Sequence, residues 1–226
     1  MANAGQCAFC FEVLVAHFEG RSPAPLSVFT KAIEADSSSS SLESTTSALS
    51  STFSAAAAVS ASTSTFPLFV TWNTIGKNGT RLRGCIGTFE PQPLEKGLAN
   101  YANIAAFDDT RFSPISLKEL PSLECGVSLL THFEDADDAL DWEFGTHGIR
   151  ISFSVSSRRY SATYLPDVPP EHFVSKEQTL ESLVRKAGYT GSKNWSELQI
   201  KLVRYQSSKA EIGYLGFLSL KKRIAV

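Results

Sequence analysis

A strong charge imbalance and a long uninterrupted apolar run are both missing from this sequence. Its 226 residues include 21 Lys and Arg against 23 Asp and Glu, which gives a formal net charge of −2. A nearly neutral chain has no overall attraction to nucleic acid or to anionic lipid, so we expect neither nucleic-acid nor membrane binding. The first apolar stretch carries Glu12, His17 and Glu19. It therefore fits neither a signal peptide nor a membrane span.

Cysteine is also sparse. The four cysteines, Cys7, Cys10, Cys85 and Cys125, lie among apolar residues without the dense spacing of a secreted disulfide scaffold. We therefore expect free thiols and a reducing compartment, cytoplasmic, nuclear or both. Cys7 and Cys10 have the spacing of a metal or redox motif, but no second ligand pair follows them. This pattern favours core packing over a metal site.

The motifs that most strongly indicate an enzyme class are absent as well. The sequence has no P-loop, no nucleophile-elbow serine motif and no dinucleotide fingerprint. The acidic run 133–143 lacks the glycine at which a calcium-binding loop bends, which favours a solvated acidic loop. No cofactor and no metal is assigned from the sequence, and whether the protein is an enzyme is left open.

Helices and antiparallel hairpins alternate along the chain. This order indicates the α+β class, with an antiparallel sheet flanked by helices. An apolar helix over residues 7–18 ends at Gly20, and a capping box at Ser175 and Gln178 opens a later helix. The remaining predicted elements are a short helix after Pro25, a helix over Leu94–Phe107, a strand over 123–133, a hairpin turning at Ser156-Ser157, and strands over 198–205 and 209–217.

One segment has a different composition from the rest. Residues 37–65 are almost entirely Ser, Thr and Ala, and they cannot bury enough apolar surface to offset the entropy of ordering. We interpret them as a disordered insert, either a phosphorylated or partner-binding segment or a species-specific loop expansion. The predicted organisation is an N-terminal helical part at 6–35, the insert at 37–65, the main part of the domain at 66–217 and a basic tail at 218–226.

A predicted hairpin contains the stretch RLRGCIGTF. Asn78-Gly79 favours a type I′ turn, and a turn centred there sets Cys85 opposite Trp72, Gly84 opposite Asn73 and Gly87 opposite Val70. With unbroken alternation, one face of the second strand carries Arg81, Arg83, Cys85, Gly87 and Phe89. A bulge at either glycine would reverse this pattern beyond it.

Cys85 is the candidate nucleophile. The guanidinium group of Arg83, two residues away on the strand, would lower the pKa of the thiol, and glycines at 84 and 87 would let a small anion or carbonyl ligand approach the backbone. The alternative is that Cys85 is a compact core residue and that the glycines form a bulge or a close helix contact.

Other residues are candidate companions of Cys85. His147 lies between glycines just before a strand and could act as its base, or could be an ordinary turn residue; His132 is interpreted as structural. Arg111 and Phe112 lie in a loop, where binding residues concentrate, although Arg111 could instead anchor the loop to a neighbouring carboxylate. The candidate site comprises Cys85 and His147 as catalytic residues and Arg83, Gly84, Gly87, Arg111 and Phe112 as ligand-binding residues.

The sequence also resembles the AMMECR domain family, named for the chromosomal region of Alport syndrome, intellectual disability, midface hypoplasia and elliptocytosis. The resemblance covers nearly everything from Phe66 to Tyr214, and the first helix is similar to the family's N-terminal segment. It is carried by blocks in a common order: PLFVTW, LRGCIG, DTRFSP, VSLLT, LDWE, HGIRI, ATYLP and LVRKAGY.

The resemblance implies a larger subdomain built from both chain ends and a smaller subdomain inserted between them. It implies no established activity, and it makes the LRGCIG stretch the favoured functional site. Family members are associated with Memo-like and radical-SAM proteins in prokaryotes, which by analogy makes Memo-like proteins candidate partners. The working hypothesis is binding or cysteine-dependent modification of a small anionic metabolite or nucleotide; the alternative is a non-enzymatic protein-interaction adaptor.

Overall fold

A computed structural model describes residues 1–39, 64–77 and 79–224. Most of the predicted insert, residues 40–63, and Asn78 of the predicted turn lie outside the described residues. The helices are α1 (Ala4–Glu19), α2 (Leu26–Ser39), α3 (Leu94–Asn103), α4 (Val168–His172), α5 (Lys176–Lys186) and α6 (Tyr214–Ile224). The strands are β1 (Thr65–Gly76), β2 (Gly79–Pro93), β3 (Leu123–Asp135), β4 (Gly148–Val155), β5 (Arg158–Tyr164) and β6 (Lys201–Gly213).

The chain divides into two compact units, as the family resemblance implied. The first unit contains Met1–Leu129 and Lys209–Val226, and the second contains Leu130–Ser208. The strand order is β2-β1-β3 in the first unit, where β3 continues beyond Leu129, and β6-β4-β5 in the second, where β6 continues beyond Ser208. Neighbouring strands are antiparallel in both sets, β1 pairing with β2 and β3, and β4 with β5 and β6. The α+β class with an antiparallel sheet is therefore confirmed.

The core of the first unit lies between helices and one face of its sheet. Alternate β1 residues Leu68, Val70 and Trp72 are fully buried, as the period of two in a strand requires. The Trp72 ring packs edge-on against Phe11 of α1, and its indole nitrogen donates to the Ala102 carbonyl of α3 at 3.0 Å. Because helices cover this face of the sheet, the β1 and β2 side chains that lie on it point into the core.

A buried carboxylate connects distant parts of the first unit. Glu12 of α1 accepts from Arg21 and from Lys221, which lies near the end of α6. Burial alone would raise the pKa of Glu12, but these two partners, with the Ala24 amide, hold that pKa below its ordinary value. Of the basic tail predicted at 218–226, residues 218–224 lie within α6.

The second unit has its own hydrophobic core. Ile149, Ile151 and Phe153 of β4 pack with Leu180 and Leu183 of α5. The predicted β4–β5 turn is confirmed, with positive φ angles at both serines, Ser156 and Ser157.

The start of α5 differs in one detail from the predicted capping box. Ser175 caps the helix, accepting from the Gln178 amide at 3.2 Å. The Gln178 side chain, however, accepts from the Val174 amide rather than from Ser175. The cap therefore extends one residue further toward the preceding loop.

Two predictions about the chain's last strands are wrong. Residues 201–213 form a single strand, β6, where the sequence suggested two. Residues from Tyr214 onward are helical, because Phe217 and Leu220 recur at helical spacing and are both buried against the core.

The predicted register of the β1–β2 hairpin is also wrong. Cys85 lies opposite Thr71 rather than Trp72, Gly84 opposite Trp72 rather than Asn73, and Gly87 opposite Phe69 rather than Val70. Gly76 pairs with Gly79, so the connection lies at residues 77 and 78 and not at 78 and 79. Moving the loop by one position shifts each partner by two residues, and one extra residue in β2 between Leu82 and Gly84 reduces the shift to one at these three positions.

Candidate functional site

A bulge at Arg83 determines where the LRGCIG side chains point. Leu82 pairs with Asn73 and Gly84 with Trp72, which leaves Arg83 as the extra residue. The pairing beyond the bulge is therefore reversed in parity. Arg81 and Cys85, which unbroken alternation would place on one face, consequently lie on opposite faces of the hairpin.

Cys85 is half-buried and makes specific contacts through its side chain and its backbone. It lies on the face opposite the helices, where the Thr71 hydroxyl donates to its sulfur at 3.1 Å. Its backbone amide donates to Asp109 at 2.9 Å, and its carbonyl accepts from Arg111 at 3.0 Å. The backbone of Cys85 is thus fixed from the free edge of the sheet, since no strand of the described residues pairs with β2 on that side.

Asp109 is the buried centre of this edge contact. Its carboxylate accepts from the Arg111 guanidinium at 2.7 and 2.9 Å, as well as from the Cys85 amide. Only 4% of the Asp109 side chain is exposed, against 55% for Arg111. The Arg111 hydrogen bonds, opposed by burial, hold the pKa of Asp109 well below its usual range. Arg111 therefore pairs with a carboxylate of its own loop, and the two residues together fix that loop to the Cys85 backbone.

Arg83 is held by a second carboxylate. Its guanidinium bonds both oxygens of Glu119, at 2.8 and 3.3 Å, and the carbonyl of Ser113 at 2.7 Å. The bond from Arg83 keeps the pKa of Glu119 below its ordinary value. The charge of Arg83 is consequently balanced within the protein, and its side chain is only 13% exposed.

The two motif glycines make close packing contacts. A β-carbon at Gly84 would lie 2.1 Å from the Ala105 carbonyl oxygen, in the π-helical turn Ile104–Asp108 that continues α3. A β-carbon at Gly87 would lie 2.3 Å from the Phe69 ring. The space beside each glycine is therefore filled by the protein itself. Their role in binding a ligand stays a prediction.

The two histidines considered from sequence belong to the second unit, whereas Cys85 belongs to the first. His147 is a turn residue whose ring nitrogen Nδ1 accepts from the Glu143 amide at 3.0 Å. His132 has a positive φ of 53° and bonds the Thr131 hydroxyl. A catalytic role for His147 stays a prediction.

The hairpin end and the neighbouring loop enclose a hollow of about 540 Å³. Of the sequence-predicted residues, Arg83 and Phe112 line it, while Cys85, Arg111, Gly84 and Gly87 are not among its lining residues. Two cations that the sequence analysis did not select, Lys77 and Arg81, also line it. The signal for them was three basic residues within seven positions across a turn. We call this space the hairpin hollow; its other lining residues are Thr74, Gly76, Gly79, Thr80, Leu82 and Ser113.

Comparison with known proteins identifies the family. The family model described as AMMECR1 matches residues 7–210. The chain belongs to the AMMECR1 family. An uncharacterised protein of Arabidopsis thaliana is 50% identical over 160 residues, which cover 69% of this chain and 75% of that protein. An uncharacterised protein of Schizosaccharomyces pombe is 48% identical over 156 residues, covering 69% and 80%.

The fold of the chain is also similar to that of a solved structure. The crystal structure of an uncharacterised protein from Pyrococcus horikoshii superposes with a TM-score of 0.55 at 29% sequence identity. The match covers 66% of this chain and 74% of that chain. Among the described residues of this AMMECR1 protein, no helix is long and apolar enough to cross a membrane.

Three of the four cysteines of this AMMECR1 protein form a buried group. Cys7, Cys10 and Cys125 are each 0% exposed. Burial, together with hydrogen bonds to Cys10 and Cys7, raises the pKa of the Cys125 thiol well above its ordinary value. The core packing that the sequence favoured for Cys7 and Cys10 is therefore confirmed.

We expect a thiol reagent to modify only Cys85 in the native protein. Fully buried thiols react slowly because the reagent cannot reach the sulfur, whereas Cys85 is partly accessible. Peptide mapping after brief treatment with iodoacetamide near neutral pH measures this directly. All four cysteines of the chain should react after denaturation.

Cys85→Ser is the matched control, because a hydroxyl can keep the contact with Thr71. This variant should take up almost no reagent while folded. Labelling of Cys7, Cys10 or Cys125 as fast as that of Cys85 would show that the native packing differs from the one described here.

Proposed function

We propose that the first unit binds a small anionic metabolite, of the phosphate-ester class, in the hairpin hollow. The observation that carries the proposal is the charge of its lining. Lys77, Arg81 and Arg83 all line the hollow, and no carboxylate is among its described lining residues. A concave site that is lined by cations without opposing carboxylates attracts a small anion.

The proposal depends on cations that the protein does not already neutralise. Arg83 is paired with Glu119, so it contributes shape and fixed hydrogen bonds rather than free charge. The side chains of Lys77 and Arg81 make no hydrogen bond or ion pair with any described residue. Hydroxyl groups of Thr74, Thr80 and other lining residues add neutral donors, which is the mixture that phosphate oxygens accept.

Phe112 limits the kind of ligand. Its ring forms one wall of the hollow, and the Arg111 guanidinium lies 5.5 Å from its centroid. Because the single aromatic ring of the lining already contacts a guanidinium, it leaves little free surface on which a ligand ring could stack. This arrangement favours a ligand recognised mainly by its phosphate group.

Binding is better supported than modification by Cys85. The sulfur of Cys85 bonds Thr71 on the face of the sheet opposite the helices, and Cys85 does not line the hollow. A reaction at that sulfur would need the ligand to lie elsewhere. Among the residues that the structure describes, no specific contact favours the adaptor alternative.

The test is calorimetric titration of the full chain with inorganic pyrophosphate. We expect saturable binding that weakens at least about tenfold in the double variant Lys77→Gln and Arg81→Gln, since each change removes a charge-assisted hydrogen bond. The affinity should also fall with rising salt concentration.

The matched control is the double variant Lys31→Gln and Lys118→Gln. It makes the same change in net charge at two exposed lysines of the first unit that do not line the hollow. Its affinity should equal that of the unmodified chain. Equal weakening in both double variants would show that binding depends only on the net charge of the protein. The absence of saturable pyrophosphate binding to the unmodified chain would refute the site.

A further inference from the structure

The second unit contains a separate hollow beside Trp195. It has a volume of about 620 Å³, within the range of small-molecule sites, and it lies between the last turns of α5 and the segment 188–195 that follows. We call it the Trp195 hollow. None of the residues selected from sequence lines it, and it belongs to the unit that does not contain the hairpin hollow.

The walls of the Trp195 hollow are fixed by local contacts. Gly188, with a φ of 84°, ends α5 in the left-handed conformation and turns the chain back. At Gly191 a β-carbon would lie 2.3 Å from the Tyr189 hydroxyl oxygen, so only glycine lets the segment pack this closely on that ring. Asn194 caps the following turn by accepting from the Trp195 amide. The site is therefore largely preformed.

Two cations reach the hollow from different segments. Arg185 lies on the last turn of α5 and Lys193 on the segment 188–195, and both line the space. Both side chains are exposed, and neither has a hydrogen bond or ion pair with any described residue. Glu181, one turn before Arg185, is the carboxylate in the lining. The net charge of the lining is therefore positive.

An aromatic ring completes the site. Trp195 is partly exposed and lines the hollow, while Tyr189 is largely committed to the core through edge contacts with Phe153 and Tyr160. A tryptophan ring beside uncompensated cations can stack on a planar heterocycle while the cations bind an attached anion. The tryptophan ring and the cations together favour a ligand that has both a planar heterocycle and an anionic group.

We propose that the Trp195 hollow is a second ligand site, for a small molecule that joins a planar aromatic ring to a phosphate, namely a mononucleotide. The ring stacks on Trp195, and the phosphate is bound by Arg185 and Lys193. This site is independent of the hairpin hollow, whose lining favours a phosphate without a large ring.

The protein contains its own reporter for the test. Of its three tryptophans, Trp72 and Trp142 are buried at 0% and 1% exposure, so a bound ligand can reach only Trp195. Titration of the full chain with AMP should therefore give a saturable change in tryptophan fluorescence. Adenosine and ribose 5-phosphate, which each lack one half of the ligand, should bind at least about tenfold more weakly.

Three single variants separate the site from general charge effects. Arg185→Gln and Lys193→Gln should each weaken AMP binding about tenfold. Lys201→Gln makes the same charge change at another exposed residue of the second unit that does not line this hollow, and it should leave the affinity unchanged. Glu181→Gln, which removes the opposing charge, should strengthen binding.

The proposal is overturned if AMP produces no saturable change, if adenosine binds as tightly as AMP, or if the two cation variants behave like Lys201→Gln. The Lys77→Gln and Arg81→Gln double variant should leave this fluorescence signal intact. A result that refutes ligand binding at one hollow is thereby distinguished from a result that refutes it at the other.

Discussion

Gly84→Ala is expected to lower the free energy of unfolding by about 3 kcal/mol or more, at the upper end of what overpacking costs. The new methyl group would lie 2.1 Å from the Ala105 carbonyl oxygen, which is backbone and cannot rotate away. Either β2 or the π-helical turn would have to move. Because Trp72 pairs with Gly84 and bonds α3, such a movement would also disturb the core.

Gly126→Ala provides the comparison for this effect. A β-carbon at Gly126 would meet Glu211 at 3.5 Å and Thr71 at 3.7 Å, which are ordinary contact distances. Its change in unfolding free energy should stay within about 1 kcal/mol. Urea unfolding of both variants followed by fluorescence measures the difference. If the two substitutions cost the same, Gly84 does not pack against the helix as described.

The second large effect is expected from Asp109→Asn. The substitution removes the charge that balances Arg111 and weakens the support of the Cys85 backbone at the free edge of β2. A charged hydrogen-bonded pair with one partner buried should cost about 2 to 3 kcal/mol of unfolding free energy when broken, since the half-exposed Arg111 recovers some hydration. Asp108→Asn changes an exposed neighbour and should have little effect.

The effect of Asp109 should depend on pH with a defined sign. Its pKa is lower in the folded state than in the unfolded chain, so the carboxylate stabilises the fold above the unfolded pKa of about 4. As the pH falls below that value, the unfolded state takes up a proton first and the stabilisation declines. The difference in unfolding free energy between the unmodified chain and Asp109→Asn should therefore shrink in acid. A difference that is constant with pH would mean that the Asp109 charge contributes nothing.

These two predictions show how the LRGCIG stretch contributes to stability. Gly84 allows the helix to approach β2, and the Cys85 backbone is held by Asp109 and Arg111 from the neighbouring loop. Close packing therefore explains the glycine at position 84. The hydrogen bonds at the free edge of β2 explain why the backbone of the next residue, Cys85, is fixed. The candidate ligand sites lie at side chains nearby, chiefly Lys77 and Arg81, or in the other unit.

The family and the fold class followed from the sequence, as did most helix and strand positions. These features depend on local patterns: the apolar circumference of α1, the stop at Gly20, and the stripe of Leu180, Leu183 and Val184 on α5. Such patterns are set by residues a few positions apart, so they can be recognised without knowing the tertiary structure. The two-part organisation came instead from the family resemblance.

Only the tertiary structure decided the geometry around Cys85. The bulge at Arg83, which places Arg81 and Cys85 on opposite faces, is not marked by any distinctive residue at position 83. The pairing of Arg83 with Glu119, and the contacts of Asp109 and Arg111 with the Cys85 backbone, depend on how distant segments pack on the sheet. A change of one residue in the register moves every side chain of a strand to the opposite face of the sheet. Sequence patterns locate a turn only to within about one residue, so they do not determine which face a side chain occupies. For that physical reason the sequence could name the stretch, and only the folded chain could show which atoms meet there.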